Sequence, residues 1–192
     1  ALARATRVAT ACEDALFLDT LRRRALRDLP APAGVPLLLG LVGGCGLYPL
    51  RALVELGLFA AGFDATIYAG EFDDYVASLR EADGPLQRFQ PQVTVVLPSP
   101  ARCRYEGALT DGRERIAGAA ARVADELIDL CAAHIARTGS QVLCGNFVPP
   151  AGFDPGAYRT RTLATDWSFR RLVNLELGQR APTGVQILDL DF

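Results

Sequence analysis

VPLLLGLVGGCGLYPL, residues 35–50, is the stretch around which the rest of this sequence is organised. Its apolar run at 37–42 is typical of a β-strand that is buried on both faces of a sheet. A glycine-rich turn at 43–46 follows, and Pro49 then opens a helical pattern. These features predict a strand, a tight turn and a helix whose free N–H groups face any ligand above the turn. Because the spacing is neither G-x-G-x-x-G nor a Walker loop, a purely structural turn is an equal alternative.

Four further segments have the apolar pattern of strands, and helical patterns separate them. The predicted strands are 63–68, 92–97, 141–144 and 185–190, and the predicted helices are 11–29, 49–61, 73–80, 113–136 and 163–177. This alternation predicts an α/β fold with a five-stranded, mainly parallel sheet and right-handed crossovers.

The composition limits the classes of function. The chain has 192 residues, half of them hydrophobic, which fits a single domain with a full core. Its net charge of −2 gives no electrostatic basis for binding nucleic acid. No apolar run approaches the roughly 20 residues of a membrane span, and no signal-peptide core is present. We therefore expect a soluble, cytoplasmic protein without membrane contact.

The cysteines indicate neither a disulfide framework nor a zinc site, because no C-x-x-C pair occurs among them. The five are Cys12, Cys45, Cys103, Cys131 and Cys144. We expect most of them to be free, buried thiols, and we expect no bound metal and no cofactor.

Loops that follow the strands should share one edge of the sheet, where α/β proteins bind ligands. The candidate ligand-binding residues in these loops are Gly43, Gly44, Gly46, Gly70, Arg102, Arg104, Asn146 and Asp189. The planar guanidinium of arginine suits a carboxylate or a phosphate, and the turn at 43–46 could supply backbone donors to the same anion. The alternatives are solvated surface arginines, and an Asn146 that caps a turn.

Two side chains are candidate nucleophiles, Cys45 at the end of the first strand and Ser99 after the third. A thiol facing a helix N-terminus is favoured as the thiolate. The chain has one histidine, His134, and it lies on the apolar stripe of helix 113–136 near its C-terminal end. That end belongs to the opposite edge of the sheet, so we expect a packed histidine rather than a general base. An acyl-holding Cys45 needs no such base.

The terminal Asp189-Leu190-Asp191 has the D-x-D spacing of phosphatases with an aspartyl nucleophile. Such a fold needs further sheet after the motif. We therefore expect ordinary strand-end carboxylates here.

Taken together, these segments resemble the N-terminal domain of FkbH-like proteins. The matching stretches are LVGGCGLYPL, GFDATIYAGEFDDY, QRFQPQVTVVL, VLCGNFVPP, the Asn174-bearing RRLVNLEL and VQILDLD, which together cover about residues 35–191. In that family an SGNH-hydrolase-like domain precedes a phosphatase domain of the haloacid dehalogenase superfamily. The resemblance implies a three-layer, flavodoxin-like α/β/α sandwich at 35–192 behind a helical segment at 1–34, with the phosphatase domain not in this sequence.

The resemblance also implies a setting in polyketide or related natural-product assembly. Full-length members load a glyceryl unit from a phosphorylated three-carbon donor onto an acyl carrier protein. The expected partners are therefore that carrier protein or a small acyl or phosphorylated three-carbon ligand. This sequence departs from the SGNH pattern, because Gly44-Cys45 stands at the nucleophile's place, Pro98-Ser99 replaces the third-strand asparagine, and no histidine follows Asp189.

Three hypotheses follow. The leading one is an FkbH-like recognition or acyl-handling domain in carrier-protein chemistry. The second is a small esterase or acyltransferase that uses Cys45 or Ser99. The third is a non-catalytic domain for docking or dimerisation.

Overall fold

The predicted strands form one parallel sheet in a computed structural model of the chain, which describes residues 2–9, 11–28, 33–150 and 156–191. The strands are β1 (Val35–Gly43), β2 (Phe63–Phe72), β3 (Val93–Leu97), β4 (Gln141–Gly145) and β5 (Val185–Leu188). Their order across the sheet is β2-β1-β3-β4-β5, and every neighbouring pair is parallel. The predicted α/β class and five-stranded sheet are confirmed.

Helices connect the strands and precede the sheet. They are α1 (Leu2–Val8), α2 (Cys12–Asp28), α3 (Tyr48–Ala60), α4 (Tyr75–Arg80), α5 (Pro85–Phe89), α6 (Arg113–Thr138) and α7 (Asp166–Arg180), with 3₁₀ turns at Pro100–Arg102 and Gly156–Thr160. Residues 151–155, in the loop after β4, lie outside the described residues. So do residues 29–32, which belong to the helical segment predicted at 1–34.

Apolar side chains from alternate strand positions build a core on each face of the sheet. On one face Leu39, Leu41 and Ile67 pack with Leu47 at the start of α3. On the other face Val42, Val96 and Val142 pack with α4, α5, α6 and α7. Layers of helix on both faces of the sheet give the expected three-layer α/β/α arrangement.

Several element boundaries differ from the sequence-based expectation. Strand β2 continues to Phe72 rather than ending at 68, because its later residues still pair with β1. Helix α7 begins at Asp166 rather than 163, where the hydroxyl of Thr165 accepts the Ser168 N–H. The short helix α5 was not expected, and within the helical segment predicted at 1–34 a second helix, α1, precedes α2. Helix α6 ends at Thr138, two residues after the predicted 136, and Gly139 caps it with φ +69°.

One arginine of α2 is buried against the neighbouring helix instead of facing solvent. Arg22 is buried, and its Nη2 lies 2.8 Å from Asp19 Oδ1 and 3.2 Å from Glu55 Oε2 on α3. Its guanidinium also lies over the ring of Phe59. These contacts attach α2 to the outer side of α3. Among the described residues, no helix is both long and apolar enough to cross a membrane.

A buried polar cluster lies near the start of β3. The Nε2 atom of His134 is 2.9 Å from Thr94 Oγ1, which is 2.8 Å from Ser140 Oγ. His134 is fully buried, and in the described part of the structure its Nδ1 has no hydrogen-bond partner. Burial, helped by the nearby Arg137 charge, lowers the pKa of His134 from 6.5 to about 4. The imidazole is therefore neutral in the folded protein at neutral pH.

This shift predicts that acid destabilises the fold through His134. Below pH 6.5 the His134 imidazole is protonated in the unfolded chain, whereas in the folded chain it becomes protonated only near pH 4. Acid therefore favours the unfolded chain, and the free energy of unfolding falls as the pH drops from 6.5 to about 4. The loss reaches about 3 kcal/mol at 1.36 kcal/mol per pKa unit. Urea titrations at pH 7 and pH 4 should show wild type losing about that much more stability than His134→Gln. Equal losses in the two proteins would contradict the assignment.

Candidate functional site

The strand order reverses between the carboxyl ends of β1 and β3, and we call this place the switch point. The connection from β1 leads through α3 to β2, and the connection from β3 leads through α6 to β4. The two connecting helices lie on opposite faces of the sheet, so the chain separates above this pair of strands. Ligands of doubly wound sheets bind in such a crevice.

The turn after β1 lies directly against the chain that follows β3. The Gly44 N–H donates to the Leu97 carbonyl at 2.8 Å. A Cβ at Gly44 would overlap the Cβ of Ser99 and lie 2.5 Å from its Cα. Only glycine permits this approach, so Gly44 has a structural reason to be there.

The other predicted glycines occupy different settings. Gly43 is the last residue of β1 and packs against Leu97, and Gly70 lies within β2 against Val42 rather than in a loop. Gly46 is exposed, and a Cβ there would meet nothing within 4 Å. None of these four glycines has a positive φ. Of the predicted set, Gly44 and Gly46 are the ones that belong to the turn itself.

The two candidate nucleophiles flank this contact, but the only histidine is far from both. Cys45 is exposed and Ser99 is buried. His134 bonds to Thr94, the second residue of β3, whereas Cys45 and Ser99 follow the carboxyl ends of their strands. The expectation that His134 is a packed residue rather than a general base agrees with this placement. A Ser/His/Asp hydrolase mechanism cannot be assembled from this chain's own histidine.

Arg102 approaches the end of β2 and the start of α4. Its Nη2 lies 3.7 Å from Asp73 Oδ2, and its guanidinium carbon lies 5.8 Å from the centroid of the Tyr75 ring. Burial raises the pKa of Tyr75, while the Ser99 backbone and the Arg102 charge oppose that shift. The phenol is therefore a neutral donor beside the switch point. Tyr75 was not among the predicted site residues, because the sequence showed only that it lies in the first turn of a helix after the second strand.

Asp73 has an unusual backbone conformation directly after β2. Its φ is +54°, which is uncommon for a residue other than glycine. Within the described structure, its Oδ1 is buried and has no hydrogen-bond partner. Strained residues of this kind concentrate at functional sites. Asp73 and Arg102 together form the charged part of the edge near β2.

A small cavity opens beneath Arg102 between α4 and α6. Its volume is about 130 Å³. Tyr75 and Arg102 line it together with apolar side chains that include Leu127, Leu130 and Phe147, and Arg80 and Glu126 also contribute. Ordinary ligand pockets measure about 300 Å³ or more, so this cavity admits a fragment of only a few carbon atoms.

Larger clefts lie elsewhere. One, of about 440 Å³, lies between the N-terminal helices and the start of β2, and another, of about 540 Å³, lies at the start of α6. Two more, of about 480 Å³ each, lie between α2 and the start of α3. None of the four is lined by Tyr75 or Arg102, so size alone does not identify the site.

Arg104 does not join Arg102, although the sequence suggested that the two act together. Its Nε lies 3.5 Å from Asp166 Oδ2 at the start of α7. Arg102 is the last residue of the 3₁₀ turn and Arg104 lies beyond it, and each side chain extends to a different element. Both remain more than half exposed.

Arg170 organises this edge and was not predicted. It is buried, and it donates to the carbonyls of Val148 at 2.9 Å, Pro100 at 3.3 Å and Cys103 at 3.4 Å. One guanidinium thus holds together the loops after β3 and β4. Burial raises the pKa of Cys103 to about 12, although the Arg170 charge acts in the opposite direction. Cys103 is therefore a neutral, packed thiol, and Cys131 and Cys144 are also buried in the same core.

Asn146 and Asp189 bind each other. Asn146 Nδ2 donates to Asp189 Oδ1 at 2.7 Å, and Asn146 Oδ1 accepts the Leu190 N–H at 2.8 Å. This arrangement agrees with the structural alternative for Asn146, that of a turn cap. In the described part of the chain, no group of three His, Cys, Asp or Glu side chains is placed to hold a metal ion.

The contact at Gly44 predicts a sharp difference between two glycines of one turn. Gly44→Ala should lower the free energy of unfolding by about 2 kcal/mol, because its Cβ meets the backbone of Ser99. Gly46→Ala is the matched control and should change stability by less than about 0.5 kcal/mol. Denaturant unfolding of both variants measures the difference. Equal stabilities would show that the two loops are not in contact.

Comparison with known proteins supports the fold. No protein-family profile matches this sequence, and no curated relative matches it either. The chain is similar to the crystal structure of the N-terminal part of BF1531 from Bacteroides fragilis, which contains a phosphatase domain complexed with Mg. The TM-score is 0.64 at 14% sequence identity, and the match covers 99% of this chain and 44% of that chain. This chain therefore shares its fold with a part of that structure, and it spans less than half of that structure's length.

Proposed function

We propose that this chain is an FkbH-like domain of the SGNH type that recognises a short acyl or phosphorylated three-carbon unit, presented by an acyl carrier protein, without hydrolysing it. The observation that carries the proposal is the cavity of about 130 Å³, which Arg102, Tyr75 and apolar side chains of α6 line together. Its position beside the switch point is where a doubly wound sheet takes its ligand. The fold shared with BF1531 agrees with the resemblance in the sequence.

The chemistry of the cavity fits a small anionic or carbonyl ligand. The Arg102 guanidinium can donate two hydrogen bonds to a carboxylate, phosphate or thioester oxygen. The neutral Tyr75 hydroxyl lies close by, and Leu127, Leu130 and Phe147 can accept a short carbon chain. The small volume selects against long acyl chains.

Binding rather than hydrolysis follows from the position of the only histidine. His134 is fully buried in a hydrogen-bonded cluster near the start of β3. Cys45 and Ser99 therefore have no imidazole from this chain to act as a general base. A recognition role needs no such base.

Exposed aromatic side chains beside the switch point suit a protein partner. Tyr48 at the start of α3 is 82% exposed, and Phe72 at the end of β2 is 73% exposed. Aromatic residues of this kind often anchor protein interfaces. A carrier protein that delivers its acyl group to the cavity would contact this rim.

Calorimetric titration with 3-phosphoglycerate and with a short-chain acyl carrier protein tests the site. Arg102→Gln should weaken binding by at least about tenfold, since a charged hydrogen bond contributes about 1.5 to 3 kcal/mol. Arg104→Gln is the matched control, because Arg104 extends to Asp166 instead. It should change affinity by less than about twofold. Unaltered binding in Arg102→Gln would exclude this site.

A second candidate is a Cys45 that holds the acyl group covalently, which the exposure of this thiol favours. Its thiolate would attack a thioester carbonyl, forming a new thioester and releasing the donor thiol. Intact-protein mass spectrometry of wild type and Cys45→Ala, after exposure to acyl and glyceryl thioesters, tests it. A mass gain in wild type that is lost in Cys45→Ala would support an acyl-transfer step. No gain in either protein would leave noncovalent recognition as the function.

A further inference from the structure

A cleft of about 540 Å³ lies at the carboxyl edge of the sheet, between the loops that follow β3 and β4. We call it the α6 cleft, because it opens at the start of that helix. Its lining residues fall within 109–116 and 158–163. Parallel α/β sheets bind ligands at this edge, and the volume of the cleft is within the usual range of small-molecule sites.

A hydrogen bond joins the two walls of the α6 cleft. The Thr162 hydroxyl donates to the Leu109 carbonyl at 3.0 Å, and the same hydroxyl accepts the Ala164 N–H at 3.1 Å. The loop before α6 and the loop before α7 are thereby held together. Leu109 and Tyr158 line the cleft and are 47% and 44% exposed. The walls therefore present carbon surface that can contact an organic group.

Two arginines line the α6 cleft, Arg113 from the first turn of α6 and Arg161 from the opposite loop. Within the described part of the chain, neither guanidinium lies within ion-pair distance of an acid. The neighbouring arginines do, namely Arg104, Arg115 and Arg171. The two guanidinium groups of the cleft therefore carry positive charge that a bound anion would neutralise.

The one acid among the described lining residues, Asp111, is occupied by contacts of its own. Its Oδ2 accepts hydrogen bonds from the Tyr105 hydroxyl and the Ala108 N–H, and its Oδ1 lies 3.3 Å from Arg115 Nη1. The Tyr105 hydrogen bond, the Ala108 N–H and the Arg115 charge lower the pKa of Asp111. Arg115 thus offsets the charge of this carboxylate, which leaves the two arginines of the cleft available to a ligand.

The start of α6 adds further donors beside these arginines. Gly112, the residue before the helix, has no side chain that could cap the first N–H groups. Unpaired N–H groups and the helix dipole favour an anion at this end of a helix. Together with two guanidinium groups, they offer more donors than the two oxygens of a carboxylate accept. A phosphate monoester has three terminal oxygens and a charge near −2, so it suits the cleft better.

We propose that the α6 cleft binds a small organic phosphate monoester, with its phosphate held by Arg113 and Arg161 and its organic group against Leu109 and Tyr158. This site shares no lining residue with the small cavity at Arg102. It also admits organic groups that are too large for a cavity of about 130 Å³. Its existence does not depend on the function proposed for that cavity.

Calorimetric titration tests the site with three probes, phenyl phosphate, phenol and inorganic phosphate. The titrations use the Arg102→Gln background, so that binding at the small cavity does not contribute. Phenyl phosphate should bind at least about tenfold more tightly than either of the other probes, because each of those carries only one of the two groups that the cleft contacts. Absence of phenyl phosphate binding would overturn the proposal, as would an affinity no greater than that of phenol or inorganic phosphate.

Two substitutions in the same background locate the binding. Arg113→Gln and Arg161→Gln should each weaken phenyl phosphate binding by at least about tenfold, since each removes a charged hydrogen bond. Arg115→Gln is the matched control, because it removes the same charge from the same turn of α6 but its guanidinium faces Asp111. It should change the affinity by less than about twofold. Equal losses in the control and in the two test variants would show unspecific attraction and overturn the proposal.

Discussion

The contact between the turn after β1 and the chain after β3 is the constraint on which the candidate site depends. Strand β1 lies between β2 and β3, and the connections that follow β1 and β3 lie on opposite faces of the sheet. Gly44 brings the two loops together because a side chain there would meet Ser99. The position of Ser99 in turn fixes the start of the 3₁₀ turn that carries Arg102 over Tyr75. The small cavity beneath them is a consequence of this packing.

The strands were predictable because their signal is local. Apolar runs such as 37–42 and 92–97 identify buried strands without knowledge of their neighbours. Boundaries failed where pairing decides them, as in β2, which extends through Gly70 because β1 still lies beside it. The order of the strands depends on contacts far apart in sequence. It was expected from a family resemblance rather than from the residues.

The candidate site was predictable to the level of loops, but not of side-chain partners. The sequence indicated which loops meet at the carboxyl edge, since that follows from parallel strands. It could not show that Arg102 and Arg104 diverge, because Arg102 ends a three-residue turn, Arg104 lies beyond it, and each meets a different acidic partner. Arg170 carries no motif, and its role depends on three carbonyls that are distant in sequence. Asn146 looked like a ligand residue, yet its amide is engaged with Asp189 and Leu190.

The two edges of the sheet are held by groups that respond differently to protons. At the carboxyl edge, the Arg170 guanidinium donates to three backbone carbonyls, which do not titrate. At the opposite edge, the Thr94, His134 and Ser140 cluster depends on a neutral imidazole. Protonation of His134 should therefore loosen the amino edge of the sheet, where the strand beginnings meet the last turn of α6.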